Sequence, residues 1–345
     1  MRLIIDVMSG DADALEAIKG ALRAKEELKV DITLVGDEKV VTDALDSLST
    51  KADDSLKIVS SQSVVTMEDD YLVVIKSKKD SSMSVGLNLL KNGEGDAFIS
   101  TGNTGALVAG ASLIVRKIKG IKAAAIGAVI PLGKPMLLID AGANVNPNAE
   151  TMRQFAIMGS VYMKKMFDID SPRVALINNG TEETKGGELQ RETYALLKET
   201  KGINFIGNME GRDVVNNVCD VLVADGYTGN IMLKMIEGFG KFMSKTLKSM
   251  FKKNLKTIIG ALFLKKEAYN LKKSMDYTEY GGAPLLGVLA PVIKAHGNSG
   301  EKGVFSACRQ AKIFVESGVI GEITELAAAL REERKTSQKE VSENE

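Results

Sequence analysis

Apolar, often β-branched runs alternate along the chain with glycine-rich loops and with segments whose apolar residues recur at helical spacing, the pattern of an α/β fold. Five such units stand out: DAFIS-TGNTG-ALVAGASLIV from residue 96, MLLID-AGANVNPN-AETMRQFAIMG from 136, VALIN-NGTEETKGG-ELQRETYALLK from 174, VLVAD-GYTGN-IMLKMIEGF from 221 and PVIKA-HGNSG-EKGVFSACRQA from 291. Leu3 to Asp6 predicts a further strand. Loops leaving the carboxyl ends of such strands are expected to gather at one sheet edge, where open α/β folds bind ligands. The glycine loops are therefore the first candidates for a site.

Two stretches break the pattern. Residues 45–85 mix Asp, Ser and Lys clusters with short apolar runs and read as connecting or peripheral structure. Residues 241–275 keep helical spacing without proline and carry ten lysines against a single acid, Glu267. This predicts a helical excursion with a local positive patch. The polar tail from Arg331 is expected to fray into solvent.

With 345 residues, 44% hydrophobic and 26% charged, the chain has globular composition and can bury a sizeable core. Lys plus Arg and Asp plus Glu balance at 45 each, so no global field calls for nucleic acid. Cys219 and Cys308 lie far apart and outside any CxxC pattern, which suits buried thiols in a reducing cytosol. The N-terminus lacks a secretory apolar stretch, and Ile258 to Leu264 is far shorter than the ~20 residues needed to span a bilayer.

Chemistry is suggested by the loops. Gly102, Asn103, Thr104 and Gly105 open a small-residue helix, where unsatisfied amides can hold an anion or serve as ordinary caps. Asn144 and Asn230, in glycine-containing loops, offer uncharged donors to a phosphate or oxyanion, or simply tolerate turn geometry. Lys185 in NNGTEETKGGEL is either a fixed cation or a solvent lysine, and Arg212 either binds an anion or pairs with Glu210 or Asp213. His296 is the only histidine, so a metal cluster is not expected. GxSxG, GxxxxGK[ST] and a GxGxxG opening the first helix are all missing.

Taken in order, ISTGNTGAL, LLIDAGANV with QFAIMGSVYMKK, GTEETKGGEL, NFIGNMEGRD, VADGYTGNIMLKMIEG, EYGGAPLLG and VIKAHGNSG resemble the bacterial phosphate acyltransferase family of the PlsX type. The resemblance covers nearly the whole chain. It implies a three-layer α/β/α sandwich like that of isocitrate and isopropylmalate dehydrogenases, with residues 1–330 as one domain, a protruding helical hairpin at about 241–275, and a homodimer. It also implies the reaction: a fatty acyl group passes from acyl carrier protein to inorganic phosphate, without a cofactor or metal. The acyl phosphate would then feed the glycerol-3-phosphate acyltransferase of phospholipid synthesis.

On that resemblance, catalysis is expected from Lys185, Asn230 and His296, and substrate binding from Gly102, Asn103, Thr104, Gly105, Asn144 and Arg212. The lysine-rich excursion has three readings. It is a solvated or dimer-forming helical face, a patch that steers acidic carrier protein, or an apolar tip at Ile258, Ile259, Leu262 and Phe263 dipping into anionic lipid. The resemblance favours the last, and with it a cytoplasmic enzyme at the inner face of the membrane. The start departs from the family pattern, reading DVMSGDADA where DAMGGD and a proline are usual, with Val7 and Ser9 replacing smaller residues. Competing readings are a short-chain phosphate acetyltransferase, a nicotinamide-dependent decarboxylating dehydrogenase and a noncatalytic membrane scaffold.

Overall fold

The computed structural model describes residues 1–11, 13–267, 281–295 and 300–343. In chain order the strands are β1 (Arg2–Asp6), β2 (Asp31–Gly36), β3 (Leu56–Ser60), β4 (Ala97–Ser100), β5 (Ala125–Ile130), β6 (Met136–Ile139), β7 (Arg173–Asn178), β8 (Asn204–Glu210), β9 (Val221–Val223), β10 (Ala283–Leu286) and β11 (Val292–Lys294). The helices are α1 (Ala14–Leu28), α2 (Glu38–Ser47), α3 (Ser82–Lys91), α4 (Thr104–Gly110), α5 (Ala149–Phe167), α6 (Glu188–Glu199), α7 (Gly226–Phe251), α8 (Leu255–Phe263), α9 (Glu301–Ser317) and α10 (Val319–Glu343). All six strands expected from the apolar runs are present. Within 45–85 the chain forms β3 at one edge of the sheet, and α10 carries helical backbone into the polar tail.

The strands form one mixed sheet of eleven, ordered β3-β2-β1-β4-β11-β10-β5-β6-β9-β7-β8. Alternation along each strand feeds two cores, one on each face. In β1, Leu3 and Ile5 join the core covered by α1, α5 and α9, whereas Ile4 joins the core covered by α3 and α4. Helices on both faces of a sheet whose strands are nearly all buried make a three-layer α/β/α sandwich.

The loops do not all leave one edge. The pairs β11/β10, β10/β5 and β5/β6 are antiparallel, so the parallel block β6-β9-β7-β8 runs opposite to the block β3-β2-β1-β4-β11. The central strands are short enough to bring the two sets of strand ends together. Lys294, the last residue of β11, pairs with Ala283, and Leu285 pairs with Ile126. Continuing that register puts Lys294 level with Ala128, which pairs with Leu138. Asp140 is two residues beyond Leu138, roughly 7 Å at the usual strand rise. The ends of β4, β11 and β6 therefore converge over the middle of one sheet face.

Candidate active site

A cavity of about 250 Å³ occupies that meeting point, with Thr104, Ile126, Ala141, Asn230, Lys234 and Lys294 in its walls. The wall from α7 depends on how that helix begins. Asp225 caps it, accepting from the Thr228 amide at 2.9 Å and the Thr228 hydroxyl at 2.7 Å. The Gly226 amide donates to the Asn144 carbonyl at 2.7 Å. Gly229 packs against the Asp140 carbonyl, so closely that a Cβ there would lie 2.0 Å from the oxygen. With the first turn locked in this way, the next residue, Asn230, is set beside Gly142, whose φ of 137° is open chiefly to glycine.

Asp140 organises the loop beneath. It is fully buried and accepts from five N–H donors: the amides of Ile126, Gly142, Ala143 and Asn144 and the side-chain amide of Asn144. Burial pushes its carboxyl above the usual range while those donors pull it down. The Asn144 amide nitrogen also donates to the Ala124 carbonyl at 2.8 Å, so both of its hydrogens are used within the loop. The structure thus gives Asn144 a positioning part at this site.

The opposite wall comes from β4 and β11. Gly102 donates its amide to the Ser100 hydroxyl at 3.1 Å, and that hydroxyl donates to Asp6 at 2.8 Å. A Cβ at Gly102 would lie 2.6 Å from the Cβ of Ser9, and the Thr101 hydroxyl donates to the Ser9 carbonyl. The atypical start of the chain is therefore built into the back of this wall. Asn103 caps α4 through the Ala106 amide at 3.0 Å and ties the loop to the carbonyls of Thr66, Met67 and Asp69. Of the four residues expected to bind substrate in this loop, Thr104 alone lines the cavity.

Lys294 was not among the residues expected from sequence. Its ammonium donates to the Thr101 carbonyl at 2.9 Å and the Ala295 carbonyl at 2.6 Å, and burial lowers its pKa to about 8. Lys234 across the cavity adds repulsion, while Asp11 and Asp6 pull the other way. Lys234 itself pairs with Glu237 at 2.9 Å. The available signals were a lysine ending the apolar run PVIKA and the helical spacing of Asn230, Lys234 and Glu237.

Lys185 lies elsewhere. It is half-exposed on the loop between β7 and α6, 4.0 Å from Glu182. The adjacent Gly186 and Gly187 line a second, largely apolar groove of about 700 Å³ with Tyr227, Ile231 and Met235. Helix α7 separates the two spaces, since Asn230, Leu233, Lys234 and Glu237 face the cavity and Tyr227, Ile231 and Met235 face the groove. Arg212 is exposed and paired with Glu210 at 2.6 Å, the surface pairing that its neighbours suggest. His296 lies outside the described residues. Both cysteines are buried, and desolvation pushes their thiols up to about 12, which disfavours a thiolate nucleophile.

The fold defines a structural class. A phosphotransacetylase from Streptococcus pyogenes shares it at a TM-score of 0.62 and 16% identity, covering 93% of this chain and 94% of that one. A 4-hydroxythreonine-4-phosphate dehydrogenase from Klebsiella pneumoniae shares it at 0.54 and 12%, covering 91% and 99%. Transferases and dehydrogenases thus use the same architecture, and fold alone does not choose between them.

Sequence does choose. The family model for fatty acid synthesis proteins matches residues 1–322. A phosphate acyltransferase from Thermoanaerobacter pseudethanolicus is 47% identical over 335 residues, covering 96% of this chain and 99% of the relative. Another from Lysinibacillus sphaericus is 44% identical over 328 residues, covering 94% and 98%. The chain belongs to this family and is an enzyme of the phosphate acyltransferase class.

Proposed function

We propose that the enzyme transfers a long-chain fatty acyl group from acyl-acyl carrier protein to inorganic phosphate, and that the acyl phosphate supplies phospholipid synthesis. The observation that carries this reading is a cavity that gathers positive charge and an amide donor with, among the described residues, no thiolate nucleophile: Lys234, Lys294 and Asn230 face it, and both thiols are buried and protonated. Phosphate is itself the nucleophile. It attacks the thioester carbonyl, the tetrahedral oxyanion collapses, and the carrier's thiolate departs. A thiol pKa near ~8.5 makes it a good leaving group without strong acid assistance. The protein's tasks are to hold the anion in line with the carbonyl and to stabilise the oxyanion.

In this scheme Asn230, in the cavity wall, serves the oxyanion or the phosphate. Lys185, on the far side of α7, takes part in this scheme if its loop swings across or a second copy of the chain presents it. A homodimer would allow the latter. On α8, Ile258, Ile259, Leu262 and Phe263 are all exposed, Phe263 by 85%. Flanked by lysines, these side chains fit peripheral contact of a cytoplasmic enzyme with anionic lipid, beside the glycerol-3-phosphate acyltransferase that would consume the product. Among the described residues no helix is long and apolar enough to cross a membrane.

The direct test mixes purified protein with palmitoyl carrier protein and phosphate. Acyl phosphate should accumulate only when phosphate is present. Thioester loss that ignores phosphate, or a preference for acyl-coenzyme A over carrier protein, would overturn the reading.

A further inference from the structure

Two lysines approach one small cavity from opposite walls without neutralising it. Lys234 comes from α7 and Lys294 from the end of β11. Glu237, the carboxylate in the cavity wall, is paired with Lys234 at 2.9 Å. Among the described residues, the hydrogen bonds of Lys294 go to carbonyl oxygens, those of Thr101 and Ala295, and none goes to a carboxylate. Asp6 and Asp11 act on it from behind, through charge alone. An ammonium has three donors, and two are used here. Among the described residues, the carbonyls therefore anchor the head and leave one N–H for a ligand.

Burying a cation in this way is costly unless something compensates, and a second cation across the same space adds to the cost. An anion seated between them removes both penalties. The cavity, at about 250 Å³, falls below the roughly 300–1,000 Å³ of drug-sized sites, which suits a small inorganic ion with the head of a thioester.

We propose that Lys294 is the principal phosphate-binding residue of this enzyme, holding the ion against Lys234 and Asn230. The inference rests on the phosphate acyltransferase reading and deepens it. Its corollary is proton linkage. The ammonium titrates near pH 8 when the cavity has no anion, and a bound phosphate raises that value, so phosphate binding at pH 8 to 8.5 draws a proton onto Lys294.

The test uses the full chain and inorganic phosphate. Calorimetric titration at pH 8.3 in two buffers of different ionisation enthalpy should show fractional proton uptake for the native protein and none for Lys294→Met. In steady state, Lys294→Met should raise KM for phosphate on the order of 100-fold and leave KM for acyl carrier protein nearly unchanged, with Lys294→Arg recovering part of the loss. A purely structural Lys294 would lower stability and kcat without touching proton uptake or the phosphate KM, and that result overturns the proposal. If Lys294→Met does not fold, absence of proton uptake by the native protein refutes it equally well. If the native protein shows no phosphate-dependent turnover yet binds phosphate with proton uptake, the reaction assigned above fails while the Lys294 site stands.

Discussion

Gly229 and Asp140 are in contact at a separation that permits no side chain: a Cβ on Gly229 would meet the Asp140 carbonyl oxygen at 2.0 Å. The obstacle is backbone at a loop start pinned by five N–H donors to the Asp140 carboxylate, so it cannot give way cheaply. Gly229→Ala should push α7 outward and take Asn230 with it. We expect a loss of about 1–3 kcal/mol in denaturant unfolding together with at least a tenfold fall in turnover. A variant of native stability and rate would show that the helix start is not what seats Asn230.

Removing the polar group while keeping the helix separates chemistry from architecture. Asn230→Ala should lower kcat on the order of 100-fold with an unchanged melting curve, and Lys185→Ala should do likewise if its loop reaches the reacting atoms. Normal rates for both variants with acyl carrier protein and phosphate would remove them from the mechanism.

The exposed apolar residues of α8 predict a phenotype that soluble assays do not see. Ile259→Glu with Leu262→Glu should abolish co-sedimentation with anionic liposomes and leave turnover in solution largely unchanged, because neither side chain lines the cavity. Unaltered sedimentation counts against membrane contact at this helix. If the native protein self-associates and the double variant does not, α8 is instead a self-association surface.

Lys294 also makes a prediction for stability in the absence of phosphate. Its folded value of about 8 lies below the ordinary 10.5, so below pH 8 it is protonated in both folded and unfolded chains and the cost of burying the charge is present in full. Between about pH 8 and 10.5 the folded chain releases the proton first and the cost fades. Stability of the native protein relative to Lys294→Met should therefore rise across that interval, by about 3 kcal/mol in total. Urea titrations of both proteins at pH 7.5 and pH 10 measure the difference; a flat difference would mean that Lys294 titrates normally.

Much of the architecture was legible because it is written locally. The runs that became β4, β6, β7 and β9 each end at a glycine loop and precede a helix with clear spacing, and the buried cysteines follow from their apolar settings. The central strands were harder. AIGAVI in β5 is interrupted by a glycine, and APLL in β10 carries a proline, so neither stands out from its surroundings. Yet these two strands reverse the sense of half the sheet, which is why loops expected at one edge divide between two. The site was only partly legible for a related reason. Asn230 is recognisable as an amide beside glycine, but Lys294 shares its cavity with Lys234 of α7, some sixty residues earlier in the chain. That Lys185 and Asn230 lie on different sides of one helix is likewise a fact of packing that spacing does not encode.

The wall bearing Lys294 comes late in the chain. Residues 281–295 insert beside β4, among strands made much earlier, and α9 then closes over α1. A nascent polypeptide emerging from the ribosome would thus have most of its sheet before it had any pocket. Premature termination anywhere before about residue 300 should yield a chain with an open seam and no capacity for turnover, rather than a weaker enzyme.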